Sequence, residues 1–238
     1  MNNYEDNALR ELLLWKEKMK KKPSFTSEMT KGLQSKMNNL YPDKIQNFIT
    51  DSIKNMVKPV LSGSEYTSKK PVTNKSLEER EDLAKSSIDF YRTLATASGA
   101  GTGASGLLVG LTDFPILLSL KVKFLFEIAS IYGFDVSDYK ERLYILNIFQ
   151  LAFSSDKRRV EIYDQISNWD SYAKDLPTDV NSFDWKTFQQ EYRDYIDLAK
   201  MLQLVPGIGL VVGAFANYKL MNQLYDTALN AYRLRVFK

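Results

Sequence analysis

The sequence lacks cysteine and histidine throughout its 238 residues. Without cysteine there can be no disulfide bonds, thiolate nucleophiles or sulfur-bound metals, and this absence is typical of a reducing compartment. Without histidine the chain lacks the most common general base near neutral pH and cannot form imidazole metal sites. Acid–base chemistry in this protein would have to use carboxylates, lysine, tyrosine or backbone amides.

A strong net charge is also absent, because 32 basic and 29 acidic residues leave a formal charge of +3. The sequence shows no basic stripe interleaved with aromatic residues, which is the pattern that nucleic-acid binding favours. Its 44% hydrophobic and 26% charged residues are ordinary for a globular protein. We therefore expect no nucleic-acid partner.

Alternation of apolar and polar residues never persists for the length of a strand, whereas helical spacing recurs along the chain. The sequence predicts an all-α fold, with residues 1–238 forming a single multi-helix domain. Residues 1–22 are predicted to form an amphipathic first helix, and residues 62–75 a flexible loop rich in Gly, Ser, Lys and Pro. Further helices are predicted over 26–39, from Pro42 to near Pro59, and from a capping box of Ser76 and Glu79 onward. Others are predicted from Pro115 to near Gly133, after a cap at Ser137, in the stretch before Pro177, over 184–204 and from Pro206 to Arg235.

Two long segments, 94–120 and 201–218, contain glycines and almost no charge. The first is not a phosphate-binding loop, since a helix precedes it and two leucines follow its last glycine. Glycines spaced four residues apart let helices approach closely. The segments could form a buried core, insert reversibly into a membrane or make a fixed transmembrane pair, and we predict a central glycine-rich apolar helical hairpin. Its candidate binding residues are Gly99, Gly103, Gly106, Gly110, Gly209, Gly213 and Asn217.

Asp113 is the acid that first merits attention, because it is the only charge between Arg92 and Lys121. It could cap the helix that Pro115 is expected to start, or it could be the catalytic acid of a carboxylate-dependent hydrolase. Glu127 lies fourteen residues further on, about 21 Å along a helix, so the two acids cannot form an acid–base pair.

Three further acids surround the next predicted helix start, where they could gather a hard cation. Their spacing matches no calcium loop, and acids are common in a first helical turn, so we predict no metal and no cofactor. Ion pairing with arginines is the simpler interpretation of these acids. The acids are Asp135, Asp138 and Glu141, and their candidate partners are Arg92, Arg142 and Arg233. Asp113, Glu127, Asp135 and Arg233 join the candidate binding residues.

The first residues carry acid where a signal peptide would carry base, which predicts a cytoplasmic protein. The lysine-rich stretch 16–22 then ends the first helix. These lysines could complement the helix dipole, or they could attract anionic lipid at the inner face of the membrane.

Taken together, the ordered elements resemble the EcsC family. The resemblance lies in Glu78-Glu-Arg80, Tyr91-Arg92, the glycines from Gly99 to Gly110, Asp113-x-Pro115, Glu127-x-Ala129-x-x-Tyr-Gly133-x-Asp135, Glu141-Arg142, Pro206-x-Ile-Gly-x-x-x-Gly-Ala-x-x-Asn217 and Ala231-Tyr-Arg-x-Arg235. It implies a bacterial helical protein with no established cofactor or catalytic residue. The family takes its name from a gene beside an ABC transporter linked to secretion and regulated proteolysis.

The resemblance and the two glycine-containing segments together predict a membrane-proximal accessory or binding protein. Its expected partner is membrane lipid or a membrane protein such as an ABC transporter. The protein is expected to lie at the inner face of the membrane and to be a binding protein rather than an enzyme. The alternative hypothesis is a hydrolase centred on Asp113.

Overall fold

A computed structural model describes residues 2–21, 43–63, 70–100, 107–176 and 210–238, and every regular element in these ranges is a helix. The all-α prediction is therefore confirmed for these ranges. The predicted helices over 26–39 and 184–204 lie outside the described residues. The helices that the structure describes are α1 (Asn3–Lys20), α2 (Asp43–Ser62), α3 (Leu77–Ala100), α4 (Leu107–Ile131), α5 (Tyr139–Phe153), α6 (Asp156–Ser167), α7 (Trp169–Tyr172) and α8 (Leu210–Val236).

The last helix organises the packing. Helix α8 contacts α3 most extensively and also packs against α5, α4 and α1. Helix α2 lies on α4 and α5, whereas α1 lies on α8, α6 and α3. Helix α5 is buried from Glu141 to Phe153, as expected for a helix with neighbours on several sides. The buried apolar side chains of these helices form one cluster.

Two predicted helix ends are confirmed in atomic detail. The Ser76 and Glu79 capping box is present, because the Ser76 N–H donates to Glu79 Oε2 over 2.8 Å and the Glu79 N–H donates to Ser76 Oγ over 3.3 Å. Helix α4 ends just before Gly133, as predicted, and the φ of +89° at this residue suits glycine. Bonds from the Gly133 N–H to the Ser130 carbonyl and from the Phe134 N–H to the Ala129 carbonyl complete a Schellman motif.

Three predicted helix ends are wrong. Helix α2 continues through Pro59 to Ser62, since a proline in the last turn removes few helical bonds. Helix α4 does not start at Pro115 but at Leu107, and Pro115 lies inside it on the exposed side, where water can reach the carbonyl that loses its donor. Asp138 rather than Ser137 caps α5, with its side chain accepting from the Lys140 N–H.

The predicted glycine-rich hairpin is only partly visible. Helices α3 and α4 carry the described part of the first segment, and α8 carries that of the second, while 101–106 and 201–209 lie outside the described residues. Helix α8 contacts α4, and Phe114, Leu117 and Asn217 are buried. Contact between the glycine faces themselves stays a prediction.

Part of the predicted loop 62–75 is anchored. Residues 70–76 are not helical, and the Val72 N–H donates to the Ser130 carbonyl over 2.7 Å. This bond ties the segment before α3 to the last turn of α4, so the two helices and this segment enclose a common space.

Candidate functional site

Asp113 does not cap a helix. It lies six residues into α4 and is half-buried. Glu127 lies on the same helix, which keeps the two carboxylates about 21 Å apart, as the sequence predicts. Glu127 therefore cannot act as a second acid beside Asp113.

Glu127 instead faces α3. The Tyr91 hydroxyl donates to Glu127 Oε2 over 3.3 Å, and burial first and the Glu127 charge second raise the pKa of Tyr91 well above its usual value. Glu127 also lines a cavity of about 570 Å³ between α3 and α4, together with Ser87 and Phe90. We call this cavity the Ser87 groove.

The acids around the start of α5 have separate local roles. Asp135 accepts from the Ser137 N–H over 2.8 Å, and hydrogen bonds from Ser137 lower its pKa. Asp138 caps α5, and Glu141 turns into the core. In the described ranges no three Asp or Glu side chains gather closely enough to hold a metal ion.

Arg233 lies in a buried network with Glu81. Its guanidinium donates to both Glu81 oxygens, over 2.7 and 2.6 Å, and to Glu11 over 2.8 Å. The Tyr132 and Tyr4 hydroxyls donate to the same Glu81 carboxylate. Burial alone would lower the pKa of Arg233, but Glu81 raises it overall. The network joins α1, α3 and α8 to the turn that follows α4.

A second network joins α5 to α8. The Tyr232 hydroxyl donates to Glu141 Oε1 over 2.7 Å, and Arg235 donates to Glu141 Oε2 over 2.6 Å. The Arg235 guanidinium also lies 3.5 Å from the centre of the Phe134 ring. Desolvation raises the pKa of Glu141 even though Arg235 opposes this shift.

The partners that the sequence predicted for the arginines differ from those observed. Arg92 pairs with Asp89 over 2.7 Å. Arg142 donates to the carbonyls of Leu61 and Ser137. Both arginines therefore have structural roles at helix surfaces and ends.

Sequence reasoning missed Lys121, which is fully buried in α4. Its Nζ has no hydrogen-bond partner among the described residues, and desolvation lowers its pKa to about 7. One signal could have revealed it: positions three and four residues away on either side are apolar, namely Leu117, Leu118, Phe124 and Leu125.

The predicted glycine sites are only partly described. Gly99, Gly110 and Gly213 lie within α3, α4 and α8, whereas Gly103, Gly106 and Gly209 lie outside the described residues. Asn217, on α8, is fully buried. Ligand binding by these residues stays a prediction.

The outer face of α1 exposes two large apolar side chains, with Leu13 at 51% and Leu14 at 73% of full exposure. Exposed basic residues lie close to them along the helix, at Arg10, Lys18 and Lys20. We call this surface the α1 leucine face. It contrasts with the inner face of α1, which is buried on the helical core.

None of the described helices combines the length and the apolar content needed to cross a bilayer.

Comparisons with known proteins extend over nearly the whole chain. The EcsC protein family pattern matches residues 6–237. Protein EcsC of Bacillus subtilis (strain 168) is 46% identical over 236 residues, covering 98% of this chain and 97% of its own. The uncharacterized protein YdbA of the same strain is 28% identical over 249 residues, covering 95% of this chain and 90% of its own. No solved structure gives a significant match.

Proposed function

The chain belongs to the EcsC protein family, and on this premise we propose that it is a membrane-proximal accessory protein that binds rather than catalyses. In this proposal it lies in the cytoplasm at the inner face of the membrane. It contacts anionic lipid and serves a membrane protein, such as an ABC transporter. The observation that carries the proposal is the α1 leucine face.

The arrangement of that face is typical of a helix that lies in a membrane interface. Leu14 is flanked one turn away on each side by Arg10 and Lys18, and all three are exposed. Long basic side chains can lie along apolar surface while their charges reach the headgroups. The acidic Glu17 on the same side of the helix weakens this attraction, which favours reversible binding.

Rough magnitudes support a reversible contact. Full burial of a leucine contributes about 1.5–3 kcal/mol, and each basic residue near an anionic surface contributes about 1 kcal/mol. Two leucines and three or four basic residues therefore provide several kcal/mol before the entropy lost on binding is subtracted. Salt should release a contact of this kind, because screening removes its electrostatic part.

Helix α1 is well placed to present this face rigidly. Its inner side chains Ala8, Leu12, Trp15 and Met19 are buried. A capping box between Asn2 and Glu5 closes its start, and Arg159 of α6 donates to the Lys21 carbonyl just beyond its end, over 2.9 Å. Docking would therefore not require α1 to leave the bundle.

The glycine-containing segments supply a second contact in this proposal. Ile116 of α4 and Tyr218 of α8 are large apolar residues of these segments that remain exposed. Helices thinned by Gly110 and Gly213 could pack closely against a helix of a membrane partner. This part of the proposal follows from the sequence pattern and from those two exposed residues.

Flotation with vesicles tests the lipid contact. The protein should float with vesicles containing phosphatidylglycerol at low salt, float much less at high salt, and remain at the bottom with purely zwitterionic vesicles. Replacing both leucines in a Leu13→Ser/Leu14→Ser variant should reduce flotation at least about tenfold, since roughly 3 kcal/mol of apolar burial is lost.

A Val236→Ser variant is the matched control, since Val236 is also exposed but lies on α8. It should float like the parent protein. If the parent protein stays at the bottom with anionic vesicles at low salt, the lipid contact is wrong. If the leucine variant floats as well as the parent protein, α1 does not make the lipid contact.

The hydrolase alternative gains no support from the described residues. Asp113 lies in a helix interior rather than at a cap or a cluster of acids. We therefore keep the binding protein as the single proposed function.

A further inference from the structure

The Ser87 groove lies between α3 and α4, away from the α1 leucine face. Its volume of about 570 Å³ falls within the range of small-molecule sites. Apolar side chains form much of its wall, and two of them, Phe90 at 59% and Leu83 at 39%, are unusually exposed for large hydrophobic residues. A ligand with an apolar body would cover these two side chains.

Three serines line the groove, and one of them differs from the others. The Ser86 hydroxyl donates to the Asp82 carbonyl over 3.1 Å, and the Ser130 hydroxyl donates to the Phe126 carbonyl over 3.0 Å. Such bonds to the preceding turn are common for serines in helices. The Ser87 hydroxyl has no hydrogen-bond partner in the described structure although the residue is only 6% exposed.

The groove also contains a carboxylate. Glu127 lies on α4 across from Tyr91, which is one turn from Ser87 on α3, and the Tyr91 hydroxyl bond to Glu127 joins the two helices. A carboxylate has about four acceptor sites, so Glu127 can accept further hydrogen bonds beside those it has. Glu127 and Ser87 together offer acceptors to a donor placed between the helices.

Charge decides which donor fits best. Glu127 is half-buried, so its field is less screened than that of an exposed group. Lys70 is the basic residue of the groove, but it is exposed at the rim, where water and salt weaken its effect. The interior therefore favours a cation with several N–H donors.

We propose that the Ser87 groove binds a small primary amine with an apolar body. The ammonium donates to Glu127 and Ser87, and the apolar body lies against Leu83 and Phe90. A primary ammonium has three donors, which suits two or more acceptors on facing helices. This proposal does not depend on the membrane function.

Three probes with the same phenyl group and different polar ends test the proposal by NMR titration: 2-phenylethylammonium, 2-phenylethanol and 3-phenylpropionate. The ammonium should bind with a Kd on the order of 1 mM. The alcohol and the carboxylate should bind at least about tenfold more weakly, because they lack a charge-assisted bond to Glu127. Equal binding of the three, or no binding of the ammonium, would overturn the proposal.

Variants of the parent protein then locate the site. Glu127→Gln should weaken ammonium binding about tenfold and remove the preference for the cation, whereas Ser87→Ala should weaken it about threefold. Phe90→Ala changes an exposed side chain and should weaken all three probes without unfolding the protein. Asp82→Asn is the matched control, since Asp82 is an exposed acid on the same helix and outside the groove. Unchanged binding in both Glu127→Gln and Phe90→Ala would contradict the assignment.

A lysine side chain of a protein partner presents the same ammonium. Nα-acetyl-lysine methylamide distinguishes this source, because its apolar part is a flexible chain rather than a compact body. It should bind at least about fivefold more weakly than 2-phenylethylammonium, since a flexible chain loses more conformational freedom on binding. Tighter binding of the lysine derivative would reject the small-molecule version.

Discussion

Helices α8 and α4 each bury a basic side chain, and they accommodate it in opposite ways. Arg233 of α8 stays charged because Glu81 and Glu11 pair with it. Lys121 of α4 has no hydrogen-bond partner among the described residues, and its lowered pKa of about 7 lets it lose its proton instead. Pairing and neutralisation are the two ways in which a buried ionisable group avoids the cost of an isolated charge.

The two buried cations also differ in whether they link helices. The paired cation belongs to the Tyr-Arg-x-Arg element by which the chain resembles its family, and Arg235 of the same element pairs with Glu141. These residues join α8 to α3 and α5, so their described role is structural. Lys121 joins no helices by a described hydrogen bond, so its burial should lower the stability of the fold. Its effect is therefore tested through the pH dependence of stability.

The largest expected effect is the loss of pairing in an Arg233→Met variant. It leaves the Glu81 carboxylate buried without its cation, so the free energy of unfolding should fall by about 3–5 kcal/mol. Urea denaturation followed by circular dichroism measures this change. The matched control is Arg158→Met, which breaks the exposed pair with Glu161 and should cost less than about 1 kcal/mol.

A Glu81→Gln/Arg233→Met double variant sharpens the result. Removing both charges should recover part of the lost stability, because no unpaired buried charge remains. Equal losses in the Arg233 and Arg158 single variants would contradict a buried network.

A smaller effect is expected at the unpaired cation, and it depends on pH. The folded protein releases the Lys121 proton near pH 7, whereas the unfolded chain holds it to about 10.5. Between these values the unfolded state binds more protons, so the free energy of unfolding should rise with pH, by about 2 kcal/mol from pH 7 to 9. A Lys121→Met variant should lose this rise and be more stable at pH 7, by roughly 2–4 kcal/mol.

Urea denaturation at several pH values provides the measurement. Lys123→Met is the control, since Lys123 is exposed on the same helix and its replacement should keep the pH dependence of the parent protein. A Lys121→Met variant less stable than the parent at pH 7 would show that the amine has a partner that stabilises the fold.

Local rules in the sequence predict much of the fold but little of the pairing. The Ser76 capping box and the end of α4 at Gly133 involve residues within a few positions of each other, and both are confirmed. Arg233 and Glu81 are separated by 152 positions, so no local pattern could reveal their bond. The prediction at Pro115 is wrong because burial of the surrounding apolar side chains outweighs the local preference of proline for a helix start.

The candidate site shows the same limit. Glu127 is recognisable from its sequence element, but its neighbour Ser87 belongs to another helix, and only packing brings the two into one groove. The sequence also offered a helix cap as one interpretation of Asp113, and the earlier start of α4 at Leu107 rules this interpretation out. Functional residues on different helices therefore need the tertiary structure to be identified together.

The smallest change in the free energy of unfolding is expected at the end of α4, where this helix meets the network that α8 forms with Glu81. An added Cβ at Gly133 would meet the Val72 carbonyl at 3.1 Å and the Arg80 guanidinium at 3.2 Å, in a backbone conformation that favours glycine. Arg80 donates to the Tyr132 carbonyl, and the Tyr132 hydroxyl donates to Glu81, so a shift there reaches the Arg233 network. Gly133→Ala should cost about 1–2 kcal/mol.

That connection predicts non-additivity, which urea denaturation of combined variants can detect. Gly133→Ala and Arg233→Met should differ from additivity by at least about 0.5 kcal/mol, because both disturb the surroundings of Glu81. Gly63→Ala provides the control, since Gly63 also has a positive φ, of 71°, at the end of α2. Its cost should simply add to that of Arg233→Met. Additive behaviour in both combinations would mean that the end of α4 transmits nothing to the paired cation, so that the Arg233 network is independent of the turn at Gly133.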